Sequence, residues 1–156
     1  MKVLEAIRNK KDIVIFGKKT QLSGIMAKEH MGEIFSPGRN IRLEVTWDGD
    51  VSDMIRCKYT MKAYKEYNIL SNVSEKSKIL IEGLSQFSKL KNLRNCGLIV
   101  GFDLKNSLER DTLVSELFNN GLLCNSTGEK SIRLRPNLNL SNKDIDSALK
   151  IFSTSL

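Results

Sequence analysis

The organisation of this chain is set by a segment near its start, which reads Ile13-Val14-Ile15-Phe16-Gly17-Lys18-Lys19-Thr20-Gln21. Its first four residues are apolar and mostly β-branched, a composition that predicts a short buried strand. The strand ends at Gly17 and is followed at once by two lysines. Because ligands of open α/β sheets lie beyond the carboxyl ends of the strands, this placement makes the lysines candidates for a functional role.

The lysine pair has two interpretations. One of the two can be a covalent amine, because an apolar strand behind it and a charge beside it favour the neutral, nucleophilic form. The alternative is that Lys18 and Lys19 are ordinary solvated charges after a strand. Residue types alone favour this second interpretation, since short motifs often match by chance.

Length and composition limit the class of protein. The chain has 156 residues, 40% hydrophobic and 28% charged, which is enough for one domain with its own core. No apolar run approaches the roughly 20 residues needed to cross a bilayer, and the charged start is unlike a secretory signal. Three separated cysteines and the single histidine, His30, argue against disulfide and metal frameworks. We therefore predict a cytoplasmic protein with no metal and no membrane segment.

The net charge of +7, from 25 basic and 18 acidic residues, raises the question of nucleic-acid binding. The lysines are spread along the chain, however, and no basic segment is interleaved with aromatic residues that could stack on bases. We predict a solvated basic surface and no nucleic-acid partner. Such a surface also suits an anionic cofactor and carboxylate substrates.

Beyond residue 50 the apolar periodicity is clear enough to predict secondary structure. It predicts, in order, a helix capped by Asp50 or Ser52 that continues to about Tyr67, a helix from about Glu75 to Leu90, and a strand from Cys96 to Leu104 with Leu98, Val100, Phe102 and Leu104 on one face. These are followed by a helix through Leu113 and Phe118 that ends at Gly121, strands at Leu122–Cys124 and Ser131–Leu134, and a helix that begins at Ser141 with Asp144 as its capping partner. This order predicts a small antiparallel or mixed sheet with helices packed against it.

The first 50 residues do not form a domain by themselves. Residues 3–11 form a short helix or a lead-in, residues 27–40 are irregular, and residues 42–50 are a short extended piece closed by a turn. The strand after Asp12 has no evident partner, and an unpaired apolar strand leaves backbone groups unsatisfied. We therefore expect the end of a longer chain.

A second candidate site is the segment Thr46-Trp47-Asp48-Gly49-Asp50. A hydroxyl beside a glycine turn at the start of a helix is well placed to bind phosphate, through its own O–H and through free backbone N–H groups. The alternative, which the local sequence favours, is a plain turn and helix cap.

A third candidate site is the segment Ile132-Arg133-Leu134-Arg135-Pro136-Asn137-Leu138. Arginines at period two on a strand point to the same face, and a guanidinium can bind a carboxylate through two hydrogen bonds. The alternative is a pair of solvent-facing arginines on an edge strand.

These motifs carry a resemblance to a known family. Residues 16–21 (FGKKTQ), followed by Gly24-Ile25-Met26, resemble the lysine loop of class III pyridoxal-phosphate aminotransferases, most of all the lysine epsilon-aminotransferase branch. The segment at residues 46–50 resembles that branch's STWGGN, and the segment at residues 132–138 resembles its RFRPPL. Residues 95–102 resemble its RGRGLM. By this resemblance Lys19 is the Schiff-base lysine, with Lys18 as the fallback. Thr46 binds the cofactor phosphate of the other subunit, and Arg133 binds substrate carboxylate.

The chain also departs from the family. Asp48 and Asp50 replace a glycine and an asparagine, which adds two carboxylates near the expected phosphate. In the family, the aspartate that contacts the pyridine nitrogen, the stacked aromatic and the glycine-rich phosphate turn lie before the lysine. The resemblance therefore implies one catalytic lysine and half of a cofactor pocket.

The resulting prediction is the C-terminal portion of a fold-type I pyridoxal-phosphate enzyme. Residues 1–67 end the large domain and residues 68–156 form the small α/β domain. In the intact enzyme, which uses pyridoxal 5'-phosphate, the terminal amino group of L-lysine passes to 2-oxoglutarate. The partners are a second copy or an upstream-encoded N-terminal half, and the lone chain is inactive. The alternative function is a non-catalytic α/β module that binds an anionic partner.

Overall fold

A computed structural model describes residues 12–31, 46 and 48–156 of the chain. It divides into two compact units, Met1–Tyr67 and Asn68–Leu156, which we call the first and second units. The predictions for residues 3–11 and 32–45 and for Trp47 lie outside the described residues.

The first unit contains a two-stranded antiparallel hairpin. Strand β1, Ile13–Phe16, pairs with β2, Gly24–Ala27, and a short 3-10 helix, Lys18–Thr20, lies between them. The predicted strand is confirmed, but two expectations about it were wrong. It has a partner in β2, and it is not buried, since Ile15 is 78% exposed. A short apolar run does not reveal which of its faces is covered, so sequence alone overestimated the burial.

Helix α1, Val51–Glu66, follows the turn at Thr46. Asp50 caps it, as predicted, by accepting hydrogen bonds from the backbone N–H groups of Ser52 and Asp53 at 2.7 and 3.1 Å. The helix contains no buried residue. Its large apolar side chains are exposed, and these are Val51, Met54, Ile55, Tyr59 and Met61.

The second unit is a four-stranded antiparallel sheet with three helices. The strands are β3 (Lys91–Cys96), β4 (Ile99–Asp103), β5 (Asn125–Thr127) and β6 (Ser131–Leu134), in the spatial order β3-β4-β6-β5. The helices are α2 (Ile69–Ser85), α3 (Ser107–Asn119) and α4 (Asn142–Ser155). The antiparallel form of the predicted sheet is confirmed.

One hydrophobic core holds the second unit together. The predicted inward face of β4 is confirmed, because Leu98, Val100, Phe102 and Leu104 are all buried. Phe152 of α4 packs edge-on against Phe102, with ring centroids 5.8 Å apart. Burial of side chains of this size contributes about 1.5–3 kcal/mol each relative to exposure. The core therefore fixes the sheet, and with it the position of Arg133 on β6.

The second unit differs from the prediction at three elements and contains one strand that was not predicted. Helix α2 covers Ile69–Ser85 rather than residues 75–90, β4 begins at Ile99 rather than Cys96, and β5 lies at Asn125–Thr127 rather than 122–124. Strand β3 was missed. Strand β3 carries mostly polar side chains and a register shift between Lys91 and Arg94, so it shows no regular alternation. Strand β3 lies at the edge of the sheet and pairs with β4. The residue pattern of a single sequence does not reveal this pairing.

Two predicted helix ends in the second unit are confirmed, the C-terminal end of α3 and the start of α4. Gly121 takes a left-handed conformation with φ of 90° after α3. Ser141 and Asp144 form a capping box at the start of α4, with each side chain bonded to the other residue's backbone N–H. Within the described residues, no helix is long and apolar enough to span a membrane.

Candidate active site

The lysine turn joins β1 to β2. Lys18 and Gln21, on either side of the turn, have left-handed backbones with φ of 59° and 58°. Residues other than glycine rarely adopt this backbone conformation, and each one that does lowers the stability of the folded state by about 1–2 kcal/mol. The Gln21 backbone N–H and side-chain amide both donate to the Lys18 carbonyl, each at 3.3 Å, and help to hold the turn. Strained turns of this kind are typical of functional sites.

The base of the turn is tightly packed. A Cβ at Gly17 would lie 2.7 Å from the Ser23 hydroxyl oxygen, so this position accepts only glycine without a local shift. At the open end of the hairpin, Lys28 Nζ lies 3.1 Å from Asp12 Oδ1, and the two backbones are hydrogen-bonded. The hairpin is therefore fastened at both ends, and the turn places Lys19 directly after β1. The Lys19 side chain lies outside the described part of the chain.

Thr46 is exposed in a turn that precedes α1. We expected free backbone N–H groups beside it, but two of those at the helix start donate to Asp50. The hydrogen bond from the Asp53 N–H, the largest contribution, lowers the pKa of the Asp50 carboxyl. Thr46 itself is exposed, whereas the N–H groups of Ser52 and Asp53 are already hydrogen-bonded.

Arg133 lies in the middle of β6, opposite Gly101 of β4 and Asn125 of β5. Its side chain is exposed while its neighbours Ile132 and Leu134 are buried, as the period of a strand requires. Arg133 and Arg135 line one cavity, so the structure brings these two predicted residues together. No side chain among the described residues pairs with either guanidinium.

Sequence reasoning missed a polar cluster beside Arg133. Asp103 accepts hydrogen bonds from Ser131 Oγ at 2.7 Å, Arg94 Nη1 at 3.0 Å and Asn92 Nδ2 at 3.0 Å. The bond from Ser131 is the largest contribution, and together they lower the pKa of Asp103 to about 2. The cluster spans three strands, so no local sequence signal could have found it.

The predicted site residues are divided between the two units. Lys18, Lys19 and Thr46 belong to the first unit, while Arg133 and Arg135 belong to the second. Across residues 12–31, 46 and 48–156, no group of three His, Cys, Asp or Glu side chains could hold a metal ion.

This fold and these motifs correspond to a known class of enzyme. The family aminotransferase class-III matches residues 4–156. The chain therefore belongs to the class-III aminotransferases, a family whose members depend on pyridoxal phosphate.

Individual relatives agree with this assignment. The chain is 28% identical over 153 residues to the L-lysine-epsilon aminotransferase of Amycolatopsis lactamdurans, covering 93% of this chain and 34% of that protein. It is 30% identical over 150 residues to the mitochondrial 4-aminobutyrate aminotransferase of Sus scrofa, covering 93% and 29%. Lysine aminotransferase from M. tuberculosis superposes with a TM-score of 0.85 at 27% identity, over 99% of this chain and 37% of that one. The predicted α/β aminotransferase fold is confirmed, and the chain spans about a third of these relatives' length.

The side chains of two predicted site residues suit two groups of pyridoxal phosphate, its carbonyl carbon and its phosphate. A lysine amine can bind the cofactor's carbonyl carbon covalently, and a threonine hydroxyl can donate to its phosphate. Lys19, which lies in the strained turn, and Thr46, which is exposed, have side chains of these two types. The cofactor ring needs further contacts, which these two side chains do not provide.

Proposed function

We propose that this chain is the C-terminal part of a class-III aminotransferase that transfers the terminal amino group of L-lysine to 2-oxoglutarate. One observation carries the proposal: in a chain of this family, Lys19 follows β1 in a turn bounded by two left-handed residues. Backbone strain is retained where function requires a fixed geometry. The 28% identity to a lysine epsilon-aminotransferase supports lysine as the amino donor.

Each proposed site residue has a defined role. Lys19 holds pyridoxal phosphate through its side-chain amine, and Thr46 donates a hydrogen bond to the cofactor phosphate in the neighbouring subunit. Arg133 binds a substrate carboxylate through its guanidinium. When bound, the cofactor supplies an electron sink for the carbon that carries the amino group. The free amine of Lys19 would accept the proton from that carbon and deliver it to the cofactor carbon that takes over the amino group, so Lys19 would also be the general base and acid.

The two units have separate assignments in this proposal. The first unit, Met1–Tyr67, ends the cofactor-binding large domain and contributes the lysine loop and helix α1. The second unit, Asn68–Leu156, is the small C-terminal domain. Because the chain spans 34% of its lysine relative, we propose that activity needs further polypeptide, in a homodimer or from an upstream-encoded N-terminal half. The lone chain has negligible transaminase activity.

The experiment that tests the proposal traps the cofactor on its lysine. The chain is mixed with pyridoxal phosphate, with and without the product of the upstream reading frame, reduced with borohydride, digested and mapped. We expect a reduced cofactor on Lys19 when the upstream product is present. Lys19→Arg should abolish the label and keep the charge, while Lys18→Arg, its matched control, should retain it. Labelling of Lys18, or no specific label in either mixture, would overturn the proposed role of Lys19.

One observation favours the alternative of a non-catalytic module that binds an anionic partner. The chain has a net charge of +7, and Arg133 and Arg135 have no partner among the described side chains. Absence of labelling in the trapping experiment, together with salt-sensitive binding to an acidic protein, would favour this alternative. A label on Lys19 favours the aminotransferase.

A further inference from the structure

Helix α3 ends at the segment Asn119-Asn120-Gly121, which contains the one Asn-Gly pair in the sequence. The side-chain amide of an asparagine can be attacked by the backbone nitrogen of the residue that follows it. Glycine obstructs this attack least, because it has no Cβ. Asn120 and Gly121 are both exposed, and the proposed aminotransferase site uses neither of them. The pair is therefore open to a chemical modification that is independent of that site.

Two hydrogen bonds engage the groups that would react. Asn120 Nδ2 donates to Ser155 Oγ of α4 at 3.0 Å, and the Gly121 backbone N–H donates to the Phe118 carbonyl at 2.9 Å. The first of these nitrogen atoms is the leaving group of the modification, and the second is the nucleophile. Both hydrogen bonds must therefore break before Asn120 can react.

The backbone of Asn120 also opposes the reaction. Attack requires the Gly121 nitrogen to eclipse the Cβ of Asn120 about the Cα–C bond, and the ψ of 6° at this helix cap holds the two atoms apart. The end of α3 must open before they can meet. Helix ends open at a lower free energy than the core, and the hydrogen bond to Ser155 is exposed. Opening of this junction between α3 and α4 therefore limits the rate of the modification.

We propose that Asn120 is a deamidation site and that its hydrogen bond to Ser155 controls the rate. The Gly121 nitrogen loses its proton to hydroxide and bonds to Asn120 Cγ, the Cγ–Nδ2 bond breaks, and ammonia leaves with a proton from water. A water molecule then opens the cyclic imide. Hydrolysis at Cγ gives aspartate, and hydrolysis at the backbone carbonyl carbon gives isoaspartate. The net reaction consumes one water, releases one ammonia and involves no oxidation or reduction.

Either product weakens the turn that connects α3 to the core. The Leu122 N–H donates to the Leu117 carbonyl at 2.8 Å, and Leu117 is fully buried. Isoaspartate adds one carbon atom to the backbone at position 120, which displaces this hydrogen bond. Aspartate places a negative charge at the C-terminal end of α3, where the helix dipole disfavours it. The inference goes beyond the proposed function, since it involves no cofactor, substrate or second polypeptide.

The modification is measured on the full chain during incubation in mildly alkaline buffer made with oxygen-18-labelled water. Peptide mapping by mass spectrometry gives the conversion at Asn120 and at Asn106 and Asn125, which are each followed by serine. Asn120 should convert fastest. Ser155→Ala removes one hydrogen bond and should raise the rate at Asn120 about two- to tenfold. Thr154→Ala is the matched control, because this hydroxyl donates within α4, and it should leave the rate unchanged.

A peptide of residues 117–124 gives the rate without tertiary structure and should convert about tenfold faster than the folded chain or more. Three results would each overturn the proposal: equal rates in Ser155→Ala and Thr154→Ala, equal rates in the peptide and the folded chain, or faster conversion at an asparagine that serine follows than at Asn120. The peptide comparison keeps the test decisive if Ser155→Ala fails to fold. Because peptide mapping reads Asn120 and the borohydride experiment reads the cofactor, failure of this site and failure of the proposed function are distinguishable.

Discussion

Asp103 and Ser131 lie opposite each other on β4 and β6, and the Ser131 hydroxyl donates a 2.7 Å hydrogen bond to Asp103 Oδ1. The Asp103 side chain is 14% exposed. Ser131 is two residues from Arg133 on the same strand, so this contact helps to order the polar face on which Arg133 lies. The contribution of the Ser131–Asp103 hydrogen bond can be measured from the pH dependence of the free energy of unfolding.

We expect Asp103→Asn to destabilise the protein by about 1–2 kcal/mol at pH 7, allowing for partial exposure of the group. The pKa of Asp103 is lowered from 3.8 to about 2 on folding, so the carboxylate's contribution is complete above about pH 4 and is lost as pH falls towards 2. Urea unfolding at pH 7, 4 and 2 should show the difference between the two proteins shrinking in that range. Asp146→Asn, on the exposed side of α4, is the control. A pH-independent difference would contradict the prediction.

Gly83 of α2 faces Leu149 of α4. A Cβ at Gly83 would lie 2.3 Å from Leu149 Cδ1, which is far inside van der Waals contact. Inside a helix, alanine raises the free energy of unfolding by about 1 kcal/mol relative to glycine. Overpacking of the core lowers it by about 1–3 kcal/mol. We expect Gly83→Ala to destabilise the wild-type protein and to stabilise the Leu149→Ala variant by up to about 1 kcal/mol. A urea double-mutant cycle measures this change of sign, and equal effects in the two backgrounds would refute the close contact.

Asp50 is expected to be necessary for the start of α1. Asp50→Ala removes the acceptor for the Ser52 and Asp53 N–H groups and should lower helix content and the unfolding midpoint. Asp50→Asn keeps a side-chain oxygen and should lose much less. The pKa of Asp50 is lowered on folding, so the cap's contribution is present above about pH 4 and declines as pH falls through the lowered value. Circular dichroism against pH tests this, and equal losses in both variants would show that the cap contributes little.

The proposed role of Thr46 predicts an effect on cofactor affinity in the assembled enzyme. Thr46→Val has nearly the same shape and no hydroxyl, so pyridoxal phosphate should dissociate about tenfold more readily, as expected for one hydrogen bond to a charged group. Thr46→Ser keeps the hydroxyl and should bind almost normally. Spectrophotometric titration of the cofactor measures both constants. Unchanged affinity in Thr46→Val would remove Thr46 from the site.

Local signals in the sequence predicted the second unit well. The capping box at Ser141 and Asp144, the left-handed Gly121 and the buried face of β4 all depend on residues close together in the chain, and each is confirmed. Strand β3 was missed because its side chains are mostly polar and its ladder is irregular at the register shift. Its pairing with β4 comes from tertiary structure.

In the first unit, the hydrophobic pattern predicted a strand but neither its partner nor its burial. The apolar run at Ile13–Phe16 does form a strand, but its partner β2 contains Gly24 and Ala27, which carry no strand signal. Residue type also could not indicate that Ile15 is exposed. Short apolar runs report a preference for extended backbone, whereas burial depends on what the rest of the fold places against them.

The sequence by itself determined the family, through the lysine loop and the arginine motif, because local residue patterns carry the chemistry of a site. It also determined the helix caps and the inward faces of the core elements, since these depend on spacings of a few residues. Only the tertiary structure decided that Asp103, Ser131 and Arg94 form one cluster and that Arg133 and Arg135 line an apolar cavity. Strand pairing and packing bring together residues far apart in the chain, so these contacts exist only in the folded protein.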